Sequence, residues 1–321
     1  MKLATHKDGS RDGQLVVVSR DLGTAHYATG IASTLRQVLD DWNFLAPQLQ
    51  DLSVALNQGR ARHAFPFDPR QCMAPLPRAG QWLEALAFAN HVALACPQAA
   101  AGQLHWSVCP ADDLQGPADD LLLPDERWSA DFGAGLAAIT GDIPPAATPE
   151  RALEGVRLLM LANALVLRDF PGGQGAPVRW VTACSPVAVT PDELGDAWQG
   201  GRVHLTLQTH WNGRKVGLGE GTDMQWHFGQ LLAQLCRVRR LRAGTVVGSG
   251  PVSSPGQNAK GLRQWPRGYA SVAEKRAMEQ ALGGQPLTPY LAYGDSLRLE
   301  MKGRDGHSLF GAIDHTVTPL D

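Results

Sequence analysis

The sequence lacks several features that would place it at once in a particular class of protein. Its five cysteines are odd in number and form no CxxC pair, so neither a disulfide framework nor a structural zinc site is indicated. No uninterrupted apolar run is long enough to span a membrane, and the N-terminus does not carry the apolar core of a secretory signal. We therefore expect a cytoplasmic protein with no membrane partner.

An excess of charge of one sign is also missing. The formal net charge is -2 over 321 residues, which leaves no basic surface for a polyanion, so no nucleic-acid partner is expected. A local cluster of four arginines, at positions 237, 239, 240 and 242, is interpreted as the solvated end of a helix. Glycine and proline are abundant, with 35 and 22 residues, and they supply turns between short strands.

The length of the chain allows two domains. We predict a small mixed domain over residues 1–75, with a strand at residues 15–18 and a helix at about residues 45–56. Residues 76–321 are predicted to form a larger domain dominated by strands.

Two hairpins and a further helix are predicted within the larger domain. Asn212-Gly213 reverses the chain between two alternating segments. A second hairpin is expected to join residues 297–301 to residues 309–310. Thr190 and Glu193 have the spacing of a capping box, with proline at the first helical position, which predicts an α-helix.

Residues 131–142 are interpreted as one continuous strand that contains two glycines. Residues two apart on a strand face the same side, so Asp131, Gly133 and Gly135 are expected to line one face. The glycines weaken the strand and leave a groove beside it. We expect Trp180, together with Pro251, to fill that groove.

Five segments spread over the chain form a pattern that is specific to one fold. They are residues 1–5 (MKLAT), 90–92 (NHV), 241–250 (LRAGTVVGSG), 273–276 (AEKR) and 310–314 (FGAID). Together they resemble the fumarylacetoacetate hydrolase superfamily, and most closely bacterial members similar to 2-keto-4-pentenoate hydratases and catechol-pathway hydrolases. The resemblance implies an α+β, strand-dominated fold, a mixed β-sandwich roll with a small N-terminal domain, and a homodimer. Function must still be argued from the site.

The resemblance also implies an enzyme that uses magnesium or manganese to cleave, hydrate or decarboxylate small 2-oxo acids and 1,3-dicarbonyls. The family's metal-binding acids match Gly133, Gly135 and Ala164, whose side chains offer no oxygen ligand. Loss of such a Lewis acid lowers the rate by roughly three orders of magnitude or more. We therefore predict no metal cofactor and a crippled parent reaction.

Other positions depart from the family pattern as well. The family's lysine matches Arg179, and the bulky Trp180 follows it. The family's substrate-binding threonine matches Pro251, which has neither a hydroxyl nor an amide hydrogen to donate. Trp180, Ser249 and Pro251 are all expected in the pocket around Gly133.

Four polar residues keep the family pattern, by the same resemblance. His91 matches a general base, and Glu274 matches the acid that orients it. Arg168 matches a family arginine, while Glu84 matches an aspartate that binds metal in some members. Each also has a structural alternative, as a packed or ion-paired residue.

Two functions follow from these residues. The leading prediction is a protein of this fold whose metal chemistry is lost and which binds a small organic acid or dicarbonyl, or acts as the partner of an active relative. The alternative is a diverged, metal-independent hydrolase, hydratase or decarboxylase. In that enzyme His91 and Glu274 perform acid–base chemistry, while Arg168 and Arg179 stabilise charge.

Two further possibilities are weaker. A metal site rebuilt from Glu84 and Asp131 has only two acids. A His105–Cys109 dyad would need both residues on one helix face, whereas the residues between and after them favour an extended segment.

Overall fold

A computed structural model describes residues 1–99, 102–174, 176–256 and 264–320. The strands of these residues are β1 (Lys2–His6), β2 (Gln14–Val18), β3 (Thr24–Tyr27), β4 (Phe65–Pro66), β5 (Gln81–Ala85), β6 (Trp106–Cys109), β7 (Leu121–Leu123), β8 (Ala130–Asp131), β9 (Ala134–Thr140), β10 (Val156–Leu167), β11 (Val178–Cys184), β12 (Ala188–Val189), β13 (Trp198–Gln199), β14 (Arg202–Val203), β15 (Thr206–Trp211), β16 (Arg214–Glu220), β17 (Thr245–Pro251), β18 (Ser296–Met301) and β19 (Ile313–Pro319). The α-helices are α1 (Leu35–Asp40), α2 (Trp42–Asn57), α3 (Ala89–Ala95), α4 (Pro149–Leu153), α5 (Phe228–Cys236) and α6 (Val272–Ala281). No helix in these ranges is long and apolar enough to cross a membrane.

One large mixed sheet forms the centre of the molecule. Its order is β4-β3-β2-β1-β12-β10-β9-β17-β5-β6, and β8 and β11 also pair with β10. A second sheet has the order β16-β15-β18-β19-β7. The central strand β10 is twelve residues long and almost wholly buried, which suits a strand covered on both faces. The strand-dominated α+β architecture predicted from the sequence is therefore confirmed.

The N-terminal segment contains the predicted strand and helix. Residues 15–18 lie in β2, and residues 45–56 lie within α2. Gly59 follows α2 with a φ of 67°, the left-handed conformation that commonly ends a helix.

The sheet continues directly from this segment into the rest of the chain. Strand β1 pairs with β12, so that Leu3 lies opposite Ala188. Leu3 and Leu15 belong to the same buried cluster as Ile139 and Met160. The two predicted parts thus share one sheet and one buried cluster. The domain boundary after residue 75 stays a prediction.

The first predicted hairpin is confirmed. β15 and β16 pair antiparallel across Asn212 and Gly213, whose φ angles are 50° and 70°. Positive φ at both central residues is what a type I′ turn requires.

The second hairpin is confirmed in part, and the Thr190 helix differs from prediction. The chain reverses after β18, where Lys302 bridges to Ser308 and the N–H of Leu309 donates to Met301 O at 3.1 Å. The main ladder of β18, however, is with β19, which begins at Ile313. Thr190 precedes a short 3-10 segment, Pro191–Ala197, in which Gly195 has a φ of 50° and a ψ of -130°. The α-helix prediction was wrong there because that backbone conformation interrupts the helical turns.

Candidate functional site

A pocket of about 400 Å³ lies beside the break between β8 and β9. Seven of the residues predicted from the sequence line it: Glu84, His91, Gly133, Ala164, Arg168, Arg179 and Pro251. Two surface clefts of about 490 and 730 Å³ contain none of the predicted residues. We therefore take the 400 Å³ pocket as the candidate site, because the predicted functional residues line it and not the two larger clefts.

His91 lines this pocket and contacts Glu274, which lies behind it. His91 lies in the first turn of α3 and Glu274 in the first turn of α6, and His91 Nδ1 is 2.6 Å from Glu274 Oε1. Both side chains are buried. Burial lowers the pKa of His91, but hydrogen bonds to Cys96 and Glu274 outweigh it and raise that pKa to about 9. The imidazole is therefore protonated near neutral pH.

Arg168 is held by Asp131, which does not itself line the pocket. Arg168 Nε donates to Asp131 Oδ2 at 2.7 Å. Asp131 also accepts the backbone N–H groups of Val272 and Ala273, at 2.6 and 3.1 Å, at the start of α6. One buried carboxylate thus fixes both the arginine and the helix that carries Glu274.

Arg179 faces Glu84 across the pocket. Their Nη2 and Oε2 atoms are 3.7 Å apart, and the Arg179 side chain is 14% exposed. Glu84 also accepts the indole N–H of Trp82 at 2.7 Å and the backbone N–H of Gly250 at 2.8 Å. Arg179 Nη1 is buried without a hydrogen-bond partner among the described residues. This guanidinium nitrogen can donate to an acceptor in the pocket.

The residues present do not fit the divalent ion that the resemblance implies. Gly133 and Ala164 line the pocket without a side-chain donor. A Cβ at Gly135 would lie only 2.8 Å from the carbonyl oxygen of Gly250, so the backbone of β17 leaves no room there for a side chain that could bind a metal ion. Among the described residues, no group of three or more His, Cys, Asp or Glu is placed to hold a metal ion.

A metal site rebuilt from Glu84 and Asp131 also fits the structure poorly. Both carboxylates are already engaged by an arginine and by N–H donors. A metal ion would have to displace those contacts.

Three predicted pocket residues lie elsewhere. Trp180 packs at the edge of the apolar core and does not line the pocket. It is the extra residue of a β-bulge in β11, since Arg179 pairs with Val166 and Val181 pairs with Leu165. The prediction that Trp180 fills the groove was therefore wrong. Ser249 is buried within β17, where its Oγ donates to Gly250 O and accepts the N–H of Leu136. Gly135, like Ser249, is absent from the pocket wall.

Gly133 does lie against Pro251. A Cβ at Gly133 would be 3.3 Å from Pro251 Cγ and 3.0 Å from the carbonyl oxygen of Ala164. The expected common face is interrupted because β8 ends at Asp131 and β9 begins at Ala134, with Gly133 between them.

Two cysteines line the pocket, Cys96, which the sequence reasoning missed, and Cys109, which it weighed only in a dyad with His105. Cys109 ends β6, so it lies on an extended segment, as expected. Burial raises the pKa of the Cys109 thiol despite the nearby Arg179. Cys96 follows α3, five residues after His91, a spacing that does not by itself indicate a contact.

The mixed sheets and the pocket define a protein of the fumarylacetoacetate hydrolase fold. The chain belongs to the fumarylacetoacetate hydrolase family: residues 82–318 match the profile described as Fumarylacetoacetate (FAA) hydrolase C-terminal, and residues 1–78 match Fumarylacetoacetase N-terminal domain 2.

Solved structures of low sequence identity share this fold. A fumarylacetoacetate hydrolase from Exiguobacterium antarcticum is 19% identical with a TM-score of 0.68, and 99% of each chain is covered. A maleylpyruvate hydrolase from Sphingobium sp. SYK-6, in complex with manganese(II) and pyruvate, is 16% identical with a TM-score of 0.66, and 100% of each chain is covered.

A curated relative matches over a shorter length. It is 2,4-didehydro-3-deoxy-L-rhamnonate hydrolase from Sphingomonas sp. (strain SKA58), which is 26% identical over 155 residues, or 46% of this chain. The match spans about half of that relative, 52% of its length.

Proposed function

We propose that the protein binds a small organic acid of the 2-oxo acid or 1,3-dicarbonyl class without a divalent ion, as a non-catalytic binder. The metal site of the family is lost in this proposal, and protein cations replace it. Arg168, Arg179 and protonated His91 all line the pocket. Partnership with an active relative and a homodimer stay predictions that go with it.

The observation that carries the proposal is the unpartnered Nη1 of Arg179. A buried guanidinium N–H without an acceptor costs free energy of about 1–3 kcal/mol, which a ligand carboxylate would recover. Arg168 is paired with Asp131, and His91 is paired with Glu274, but neither of these carboxylates lines the pocket. An anion that enters the pocket therefore contacts the two cations and not their carboxylate partners.

The relatives support the class of ligand. One solved structure of the same fold contains pyruvate, a 2-oxo acid. In that structure manganese is also present, whereas positions Gly133 and Ala164 of this chain offer no side-chain ligand.

Calorimetric titration with pyruvate, oxaloacetate and an acylpyruvate tests the proposal. At least one acid should bind equally well in EDTA and in manganese. Arg179→Gln should weaken binding roughly ten- to a hundredfold, since a hydrogen bond to a charged group contributes about 1.5–3 kcal/mol. Arg214→Gln, at an exposed arginine outside the pocket, is the matched control. Binding that needs manganese, or no binding by any of the three acids, contradicts the proposal.

A second candidate is the metal-independent enzyme, favoured by the short contact between His91 and Glu274. A histidine acts as a general base only when its imidazole is neutral. Because the pKa of His91 is about 9, turnover of oxaloacetate or an acylpyruvate should rise as the pH rises through that value.

This turnover should persist in EDTA and disappear in His91→Gln. Activity that is highest near pH 6 and unchanged by the substitution would rule out His91 as its base.

A further inference from the structure

The cleft of about 490 Å³ lies where the first two helices meet the large sheet. Its walls come from the end of α1, the start of α2, the turn after β9, the start of β10 and the loop before β17. None of its residues lines the candidate site. Arg157 lies near the first residue of β10 and Arg168 follows the last, so the two cavities are roughly 35 Å apart along this twelve-residue strand.

A β-bulge places Arg157 in this cleft. Val156 pairs with Thr140 and Leu158 pairs with Ile139, so Arg157 is the extra residue of β10. A bulge turns a side chain away from the regular alternation of the strand, and bulges are common next to binding sites.

The guanidinium of Arg157 is held in place but has no counter-ion. Its Cζ lies 5.7 Å from the centre of the Trp42 ring. A Cβ at Gly141 would be 2.6 Å from Nε, so this edge of the guanidinium packs directly against the glycine backbone. Nε is buried without a hydrogen-bond partner among the described residues. Burial lowers the pKa of Arg157, and no neighbouring carboxylate opposes that effect.

The acids of the cleft are of two kinds. Asp142 is engaged, because it accepts the N–H of Ala243 at 2.8 Å and pairs with Arg242 at 3.3 Å. Asp40 and Asp41 are exposed, and within the described ranges their carboxylates form no hydrogen bond or ion pair. Asp41 is the N-cap of α2, where an aspartate commonly accepts a backbone N–H, but its side chain makes no such bond.

We propose that this cleft is a second binding site, which takes a free α-amino acid with a basic side chain, such as L-lysine. The ligand carboxylate pairs with Arg157, and the two ammonium groups pair with Asp40 and Asp41. The volume lies within the usual range for a small-molecule site, roughly 300–1,000 Å³. The inference goes beyond the proposed function and does not depend on it.

Charge complementarity selects this class of ligand. A simple anion would meet Arg157 but would be repelled by the two aspartates. A simple cation would pair with the aspartates and leave the guanidinium without an acceptor. A ligand with one carboxylate and two ammonium groups matches all three free charges.

Calorimetric titration of the full chain with L-lysine, L-alanine and L-glutamate tests the ligand class. L-Lysine should bind at one site, and L-alanine about three- to tenfold more weakly, because it lacks the second ammonium group. L-Glutamate should bind more weakly still, since its second carboxylate meets an aspartate. Acetate and pentane-1,5-diamine, each with charge of one sign, should not bind where L-lysine saturates the site.

Three substitutions test the residues. Arg157→Gln should weaken binding of L-lysine about tenfold or more, and Asp41→Asn about three- to tenfold. Gly141→Ala keeps every charge of the cleft, but its methyl group displaces the guanidinium, so it should weaken binding about as much as Arg157→Gln. The fold should tolerate this methyl group, because it meets the end of a flexible side chain. Arg214→Gln, at an exposed arginine outside the cleft, is the matched control and should bind L-lysine like the wild type.

Several results would overturn the inference: no binding of L-lysine, equally tight binding of L-glutamate, or equally tight binding of pentane-1,5-diamine. Binding of L-lysine that Arg157→Gln and Gly141→Ala both leave unchanged overturns it as well. If Arg157→Gln does not fold, Gly141→Ala and Asp41→Asn decide. The proposed function is tested separately, because L-lysine binding is measured whether or not pyruvate binds.

Discussion

His91 shows how the surroundings of one residue set its chemistry. An isolated histidine is mostly neutral at pH 7, and burial would lower its pKa further. Here the contacts with Cys96 and Glu274 reverse that effect and raise the pKa to about 9. The residue is therefore a cation in the resting protein and not a free base.

The first prediction concerns stability and pH. Because the pKa of His91 is higher in the folded protein than its ordinary value of 6.5, its charge stabilises the fold fully below about pH 6.5. That stabilisation, about 3 kcal/mol for a shift of this size, is lost as the pH rises through about 9. Urea unfolding from about pH 6 to about pH 10 should show this loss in the wild-type protein and not in His91→Gln.

His307→Gln, at an exposed histidine, is the control for this measurement and should follow the wild-type curve. Parallel curves for the wild type and His91→Gln would mean that His91 carries no such coupling.

At the level of single residues, the site could be predicted from the sequence only in part. His91, Arg168 and Arg179 were placed by the family pattern, and all three line the pocket. Trp180 could not be placed, because its side-chain direction depends on a β-bulge that forms where β11 pairs with β10. Cys96 was missed because its contact depends on how the chain turns after α3.

Among the structural elements, α6 depends on an acid from a strand distant in sequence. Asp131 in β8 accepts two N–H groups at the start of α6 and pairs with Arg168. The fold thereby couples the position of Glu274 to that of Arg168. A pattern search over one segment cannot detect this, since Asp131 and Val272 are 141 residues apart.

The second prediction is for Asp131→Ala. Removing one partner of a buried ion pair typically destabilises a protein by about 3–5 kcal/mol, and here the first turn of α6 also loses its acceptor. We expect a loss of that size in urea unfolding. The pKa of His91, followed by NMR, should fall because Glu274 is no longer held in place.

Asp314→Asn is the matched control. It removes a carboxylate that pairs with Arg298 at the surface, where such pairs contribute about 0–1 kcal/mol. Equal losses in the two variants would show that Asp131 has no special role in supporting α6.

Local signals had mixed success, since the Asn212-Gly213 turn was predicted correctly and the helix after Thr190 was not. The Asn212-Gly213 hairpin was predicted correctly because the turn itself selects its conformation. The strand over residues 131–142 divides in two, because β10 pairs with β8 and β9 on either side of Phe132 and Gly133. That interruption is set by the pairing of strands and not by the glycine content alone.

Across the whole molecule, the first strand and the centre of the large sheet share one apolar cluster. Leu3 is fully buried in β1, next to β12, and it lies in the same apolar cluster as Met160 of β10. A cluster shared in this way couples the unfolding of the segment before residue 75 to that of the rest.

The third prediction follows from that shared core. Leu3→Ala should destabilise the protein by about 2–5 kcal/mol and lower one common calorimetric transition by roughly 4–10 °C. Leu287→Ala, at a leucine that is 82% exposed, should leave the free energy of unfolding within about 0.5 kcal/mol of the wild-type value. Two separate transitions, of which Leu3→Ala moves only one, would show that the N-terminal segment unfolds independently and that the shared sheet does not couple the two parts.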